Sequence, residues 1–278
     1  MKKVLPVVAI ILLLLSGVAL LIYPTVSDWL EERHHSEVIQ IYNENITAMD
    51  VQAREEEFRK AKEYNDALTG AEIKDPFIPG SGAVLPENHT SILNIDGIIG
   101  YIEIPIIDVS LPIYHGTSEA VLRKGVGHMD MTAFPIGGKG YHCVVTGHTG
   151  LSSAKLFTDL NKLVIGNVFY IKVLDQTLAY ETDQILVVAP DDTSALLPVS
   201  GEDYVTLVTC TPYAINSHRL LVRGTRIPYQ EEAAEQPEEA VKMPVNWRIV
   251  MIISFAVLMA VAYVTYRIID RRKRRRDQ

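Results

Sequence analysis

Cysteine is scarce in this 278-residue chain, with only Cys143 and Cys210 present. Two thiols are too few for the disulfide frame that small secreted domains use in place of a large core. The sequence also has no C-x-x-C or H-x-x-x-H spacing, which argues against a metal site of clustered ligands. No repeat period is visible, so a solenoid or propeller array is excluded. Basic residues are thin through the middle of the chain. Ten of the 26 Lys and Arg stand at the two ends, and the stretch between them carries 16 basic and 32 acidic residues, a formal charge of about −16. Nucleic acid is therefore not an expected partner, because phosphate binding relies on Lys and Arg.

Long apolar runs, in contrast, are present twice. Residues 4–23 are apolar apart from Ser16, and 249–266 form a second run entered through Trp247 and followed by the basic cluster 271–276. Runs of about 20 and 18 residues suit a bilayer core of roughly 30 Å, and Trp247, Tyr263 and Tyr266 suit its boundary. Lys2 and Lys3 precede the first run and the basic tail follows the second. Both termini are thus expected in the cytoplasm and the segment between them outside the cell membrane. Ser16 and Ala19 are small enough for signal-peptide cleavage, but the apolar core is long for that role, and retention as an anchor is the expectation. The basic tail reads as a topology signal and a contact for anionic lipid.

The expected organisation is a membrane span at 1–24, an outer helical segment at 25–69, a loop at 70–86, one β domain at 87–229, an acidic linker at 230–246, a second span at 247–269 and a basic tail at 270–278. In the helical segment, Trp29, Leu30, Val38, Ile41, Tyr42, Ile46 and Met49 recur at helical spacing, with Ser27 or Asp28 as the cap. A second helix is expected over 54–67, with Phe58, Ala61 and Tyr64 on one side, and the pair reads as a stalk that also packs on the main domain. Short runs rich in Val, Ile, Leu, Tyr and Thr follow at 98–104, 109–114, 141–146, 168–173, 178–188, 204–209 and 219–227, separated by Gly, Pro, Asn or Asp. They predict a mainly β sandwich or barrel, with closure removing exposed edges. Helical turns are expected at 118–123 and 152–160.

Cys210 ends the β-branched run that begins at Thr206, just before Thr211-Pro212. That is a rim position more than a core one, although a buried structural cysteine reads the same way. Pairing with Cys143 would occupy the thiol, and Cys143 is accounted for as a small buried side chain. His148 closes the run 144–148 between Gly147 and Gly150, small neighbours that would let a substrate backbone approach. The other histidines are less placed: His34, His35 and His89 fall in polar segments that predict exposure. An arginine near the thiol would favour the thiolate. Arg219 and Arg223 share one face of their strand, so spacing alone does not choose between them. The loop 70–86 is rich in Gly and Pro yet presents Asp75 beside Phe77, which makes it a candidate lid.

Together, Gly147-His148-Thr149-Gly150, the run Thr206-Leu207-Val208-Thr209-Cys210 and the stretch 218–224 resemble the sortases, as does Leu156-Phe157-Thr158-Asp159-Leu160. The resemblance spans residues 98–227 and is nearest to class C, the pilus-assembling sortases, which share an N-terminal helical segment, a C-terminal span and an Asp-Pro-aromatic lid matched by Asp75-Pro76-Phe77. Thr149 departs from the arginine often found there, with no expected effect on the chemistry. The resemblance implies a closed eight-stranded barrel, a catalytic triad of His148, Cys210 and Arg219, and Asp75 and Phe77 as lid anchors. It also implies cleavage of an LPXTG-like sorting signal between Thr and Gly through a thioacyl enzyme, with transfer to a pilin lysine amine and no metal or organic cofactor. Two alternatives are a sortase that anchors surface proteins to peptidoglycan and a non-catalytic scaffold for surface assembly.

Overall fold

The computed structural model describes residues 5–68, Asp75, Phe77, 89–151, 154–230 and five isolated helical positions between 254 and 267. The chain divides into two compact units, Met1–Leu30 with Glu239–Gln278, and Glu31–Glu238. Of the seven strands expected, all form, and an eighth is added. They are β1 (Ile98–Ile104), β2 (Val109–His115), β3 (Val126–His128), β4 (Tyr141–Thr146), β5 (Val168–Val173), β6 (Gln176–Val188), β7 (Asp203–Thr211) and β8 (His218–Ile227). These close into a barrel in the order β1-β2-β3-β4-β7-β8-β6-β5. Closure leaves no unpaired edge, and its interior is filled by Ile99, Ile102, Ile113, Val145, Phe169, Ile171, Leu207 and Val222, all buried.

Two neighbouring pairs decide where the chemistry can lie. Strand β4 runs parallel to β7, with Val145 opposite Leu207 and Thr146 opposite Val208, so both strands end at the same rim. Strand β8 runs antiparallel to β7 and therefore begins at that rim, with Arg219 directly across from Cys210. Alternation along these strands sends Val145, Leu207, Leu220 and Val222 inward. Val144, Val208 and Leu221 go to a separate outer cluster with Met129 and Leu196.

Two helices precede the barrel. Helix α1 spans Leu5–Ala48 with Pro24 inside it, so the expected start at Ser27 or Asp28 does not exist: the helix is already in progress there and needs no cap. Helix α2 spans Val51–Ala67, and the Asp50 side chain caps it by accepting from the Gln52 N–H. Tyr42, Ile46 and Ala61 are buried in the barrel core cluster, with Val38, Met49, Phe58 and Tyr64 packed against it. Ile41 remains exposed. The Tyr42 hydroxyl donates to the Ile99 carbonyl at 3.1 Å and accepts from the Leu174 N–H at 2.8 Å. Asn65 bonds both backbone groups of Phe134, at 3.1 and 2.7 Å. Polar partners deep in the contact make α2 and the part of α1 after Leu30 a built-in layer of the domain.

Three other expectations change. The turn at 118–123 forms as α3 (Glu119–Leu122), capped by Ser118, whereas residues 154–160 form only hydrogen-bonded turns that lead into a 3₁₀ helix at Leu160–Lys162, not an α-helix. Leu156 there takes a φ of 39°, and Leu156, Phe157 and Leu160 all turn into the core. His35 and His89, expected in solvent, are buried. His35 Nε2 lies 2.8 Å from the Lys124 carbonyl, and His89 stacks on Phe134. Among the described residues, no helix is long and apolar enough to cross a membrane. Side chains of residues 1–11 and nearly all of 231–278 lie outside the described set, and so does most of the expected span at 249–266.

Candidate active site

At the shared rim, backbone contacts bring His148 beside the end of β7. The Gly147 N–H donates to the Val208 carbonyl at 3.0 Å, continuing the β4–β7 pairing one step past the strand. The Thr209 hydroxyl donates to the Gly147 carbonyl at 2.7 Å, and the Phe157 N–H donates to the His148 carbonyl at 3.1 Å. The glycines flanking His148 have a reason other than room for a substrate. A Cβ on Gly147 would lie 2.8 Å from the Phe157 ring and 3.0 Å from Val126. Gly150 adopts a φ of +74° against the Tyr213 ring, a conformation that side chains with a Cβ resist.

Cys210 and Arg219 are both buried and face each other across the β7–β8 ladder. They have the outward parity of Val208 and Leu221, which places them on the face of the outer cluster. Burial pushes the Cys210 thiol above its ordinary pKa. The Arg219 guanidinium pulls it down, and the Asp75 carboxylate pushes it up again. Burial opposes the Arg219 charge, but Asp75 and Cys210 outweigh it and hold the guanidinium firmly protonated. Arg223, the other arginine of β8, stands across from Thr206. It bonds Asp183 at 3.0 and 2.8 Å and lies 4.1 Å over the Tyr204 ring. Register thus separates the two arginines that spacing left equal.

Asp75 and Phe77 lie over this rim. Arg219 Nε and Nη2 donate to the two Asp75 oxygens at 2.9 and 2.6 Å, a bidentate pair in which the Asp75 side chain is 1% exposed. Arg219 Nη1 donates to the carbonyls of Asn216 and His218. Phe77 sits with its ring centroid 5.0 Å from the guanidinium carbon and 5.6 Å from the His148 ring, and it packs on the outer cluster with Val144, Val208 and Leu221. The remainder of the segment 69–88 lies outside the described residues. Cys143 is buried inside the barrel, and both thiols are free.

One contact was not signalled by the sequence. Glu119 Oε2 lies 3.3 Å from His148 Nε2, and its other oxygen accepts from Arg123 Nε at 2.7 Å. In the sequence Glu119 is one acid among 34, and only the fold brings α3 to the end of β4.

A buried thiol, a guanidinium and an imidazole gathered at one end of a closed barrel form the layout of a cysteine transpeptidase. A sortase-domain family model matches residues 102–227. Sortase C of Streptococcus pneumoniae is 48% identical with a TM-score of 0.65, the match covering 69% of this chain and 97% of that one. Sortase C-1 of Actinomyces oris is also 48% identical, with a TM-score of 0.60 and coverage of 63% and 98%. Sortase A of Bacillus anthracis is 26% identical over 223 residues, 80% of this chain and 94% of the relative. The chain belongs to the sortase family, and its high-identity structural neighbours are class C sortases.

Proposed function

We propose that the protein polymerises pilus subunits, cleaving an LPXTG-like sorting signal and joining the released acyl group to a lysine amine. The observation that carries this reading is the outward-facing Cys210 opposite Arg219, beside His148 and under the Asp75–Phe77 cover. The S. pneumoniae sortase C is described in terms of its pilin substrates, and a sortase C1 that is 44% identical belongs to a GBS pilus island.

In the proposed reaction the Cys210 thiolate attacks the threonine carbonyl carbon and a C–S bond forms. The Thr–Gly C–N bond then breaks as His148, protonated, gives its proton to the departing glycine amine. An incoming lysine amine attacks the thioester, loses a proton to His148, and expels the thiolate. Arg219 donates to the oxyanion in both halves, a donor whose removal typically costs on the order of 10²–10³ in rate. Asp75 occupies those same donors and Phe77 packs against Arg219 and His148, so in this reading the arrangement is the resting, closed state.

Membrane anchoring is part of the same proposal. It rests on the two apolar runs and their flanking charges, and on the exposed Leu12, Leu13, Leu15, Leu20 and Leu21 along the start of α1, a surface that water disfavours. The catalytic domain would then lie on the extracellular face, with lipid as a partner.

The test incubates the full chain in detergent with an LPXTG-containing peptide and a lysine-bearing pilin. An acyl adduct on Cys210 by mass spectrometry, followed by ladders of linked subunits, is the expected result. Single attached proteins on cell-wall amines would point to anchoring instead, and assembly that survives Cys210→Ala would point to a scaffold.

A further inference from the structure

We propose that Glu119 is a positioning residue for His148, fixing the imidazole's orientation and tautomer so that Nδ1 is the nitrogen that exchanges protons with substrate. The inference rests on the acyl-transfer reading above and extends it to a residue outside the triad.

The first ground is the imidazole's surroundings. His148 Nε2 is buried and has no hydrogen-bond partner among the described residues, while Glu119 Oε2 lies 3.3 Å away, at ion-pair distance. A buried ring N–H without an acceptor is costly, so the carboxylate is where an Nε2 proton is best placed. The second ground is that the carboxylate is itself held. Its other oxygen accepts from Arg123 Nε, and its helical turn is set by the Ser118 side chain, which accepts from the Val121 N–H. Arg123 and His148 together hold the Glu119 carboxyl below its usual range, the Arg123 hydrogen bond contributing most. Glu119 is therefore a fixed anion at the ring's edge.

The third ground is what remains when the cover leaves. Phe77 lies against His148, and in the lid reading it moves away when substrate binds. The backbone bond from Phe157 fixes the His148 carbonyl but not the ring. Glu119 is then the contact that keeps the ring from turning in the open enzyme. With Nε2–H directed at Glu119, Nδ1 faces the reaction. It gives its proton to the glycine amine as the C–N bond breaks and recovers one from the lysine amine as the new C–N bond forms. Glu119 stays ionised throughout.

Amidating a buried carboxylate behind a catalytic histidine costs about 10⁴ in kcat. The Glu119 side chain is 61% exposed and shared with Arg123, so a loss on the order of tenfold is expected here. The test makes Glu119→Gln and Glu119→Asp in the full chain and follows cleavage of a fluorogenic LPXTG peptide. It also records the tautomer of His148 from its ¹⁵N-imidazole resonances. In Glu119→Gln, kcat should fall about tenfold with KM little changed, and the share of the Nε2–H tautomer should fall. Glu119→Asp, which keeps the charge, should recover part of both. Unchanged kcat overturns the inference, and so does a fall in kcat with unchanged tautomer populations, the mark of a merely structural role. Cys210→Ala and His148→Ala run alongside. If either still cleaves the peptide, the acyl-transfer reading fails and takes this inference with it. If both are dead and Glu119→Gln is fully active, the inference alone fails.

Discussion

Arg219 holds one anionic partner, the Asp75 carboxylate, and in the proposed reaction it would meet a second, the oxyanion, which makes its chemistry hard to replace. It grips both Asp75 oxygens with Nε and Nη2, and in the proposed turnover the same donors would meet the oxyanion. A lysine keeps the charge but not the two-pronged geometry, so Arg219→Lys should lose nearly as much activity as Arg219→Ala, on the order of 10²–10³ in kcat/KM. Peptide-cleavage kinetics on the two variants check this, and near-wild-type activity in the lysine variant would show that charge alone is needed. Gly147 is constrained by packing instead. An added methyl would press into the Phe157 ring at 2.8 Å, and overpacking of this kind costs about 1–3 kcal/mol. Gly147→Ala should therefore lower the melting temperature by several degrees, and Phe157→Leu, which trims the obstructing ring, should recover part of the loss relative to Gly147→Ala.

At the scale of elements, Asp75 and Phe77 join the rim strands through Arg219 and the outer cluster, and the proposed lid would act through these contacts. Burial raises the Cys210 pKa most, with Asp75 adding to the rise and Arg219 opposing it. A raised thiol pKa means less thiolate at neutral pH. Replacing Asp75 and Phe77 with alanine exposes the thiol and frees Arg219 to attract the anion. Alkylation of Cys210 by iodoacetamide should then run faster, and its pH midpoint should move to lower pH; equal rates and midpoints would mean that the segment covers nothing. The strands were legible in the sequence because period-two alternation and β-branched residues leave a local mark, and the acid and aromatic that meet Arg219 stood out as Asp75 and Phe77 inside a Gly/Pro-rich loop. Strand β3 was not, since its three residues Val126–His128 are too few to show a period. The helical spacing of Leu156, Phe157 and Leu160 was realised only in part: a left-handed Leu156 limits the segment from 154 on to short turns and a 3₁₀ helix at Leu160–Lys162. The choice between Arg219 and Arg223, and the approach of Glu119 to His148, depend on register and on contacts between distant segments, which no local pattern records.

Over the whole domain, buried histidines tie the helices to the barrel and give its stability a pH dependence. His89 stacks on Phe134, His128 stacks on the same ring, and Tyr64 of α2 meets both His89 and Phe134. His115 of β2 completes the group. Burial lowers the His89 pKa to about 4, with help from nearby His115. Burial likewise lowers His128 to about 3 and His142 to about 4, and it lowers His115 as well. Below pH 6.5 the unfolded chain takes up these protons while the folded one does not, so stability falls as the pH drops from there toward 3–4. Asp130 and Asp203, raised by burial, bind protons more tightly in the folded state and oppose this trend at the acid end, but they are two groups against four. The melting temperature of the full chain should consequently decline steadily between pH 7 and pH 4.5. His89 tests the cause directly, because neither of its ring nitrogens has a hydrogen-bond partner among the described residues. His89→Phe keeps an aromatic ring in the stack and removes two buried polar atoms, so it should cost little at neutral pH and should flatten the acid decline. A decline of unchanged slope in that variant would move the origin of the pH dependence away from the stack at the junction of α2 and the barrel.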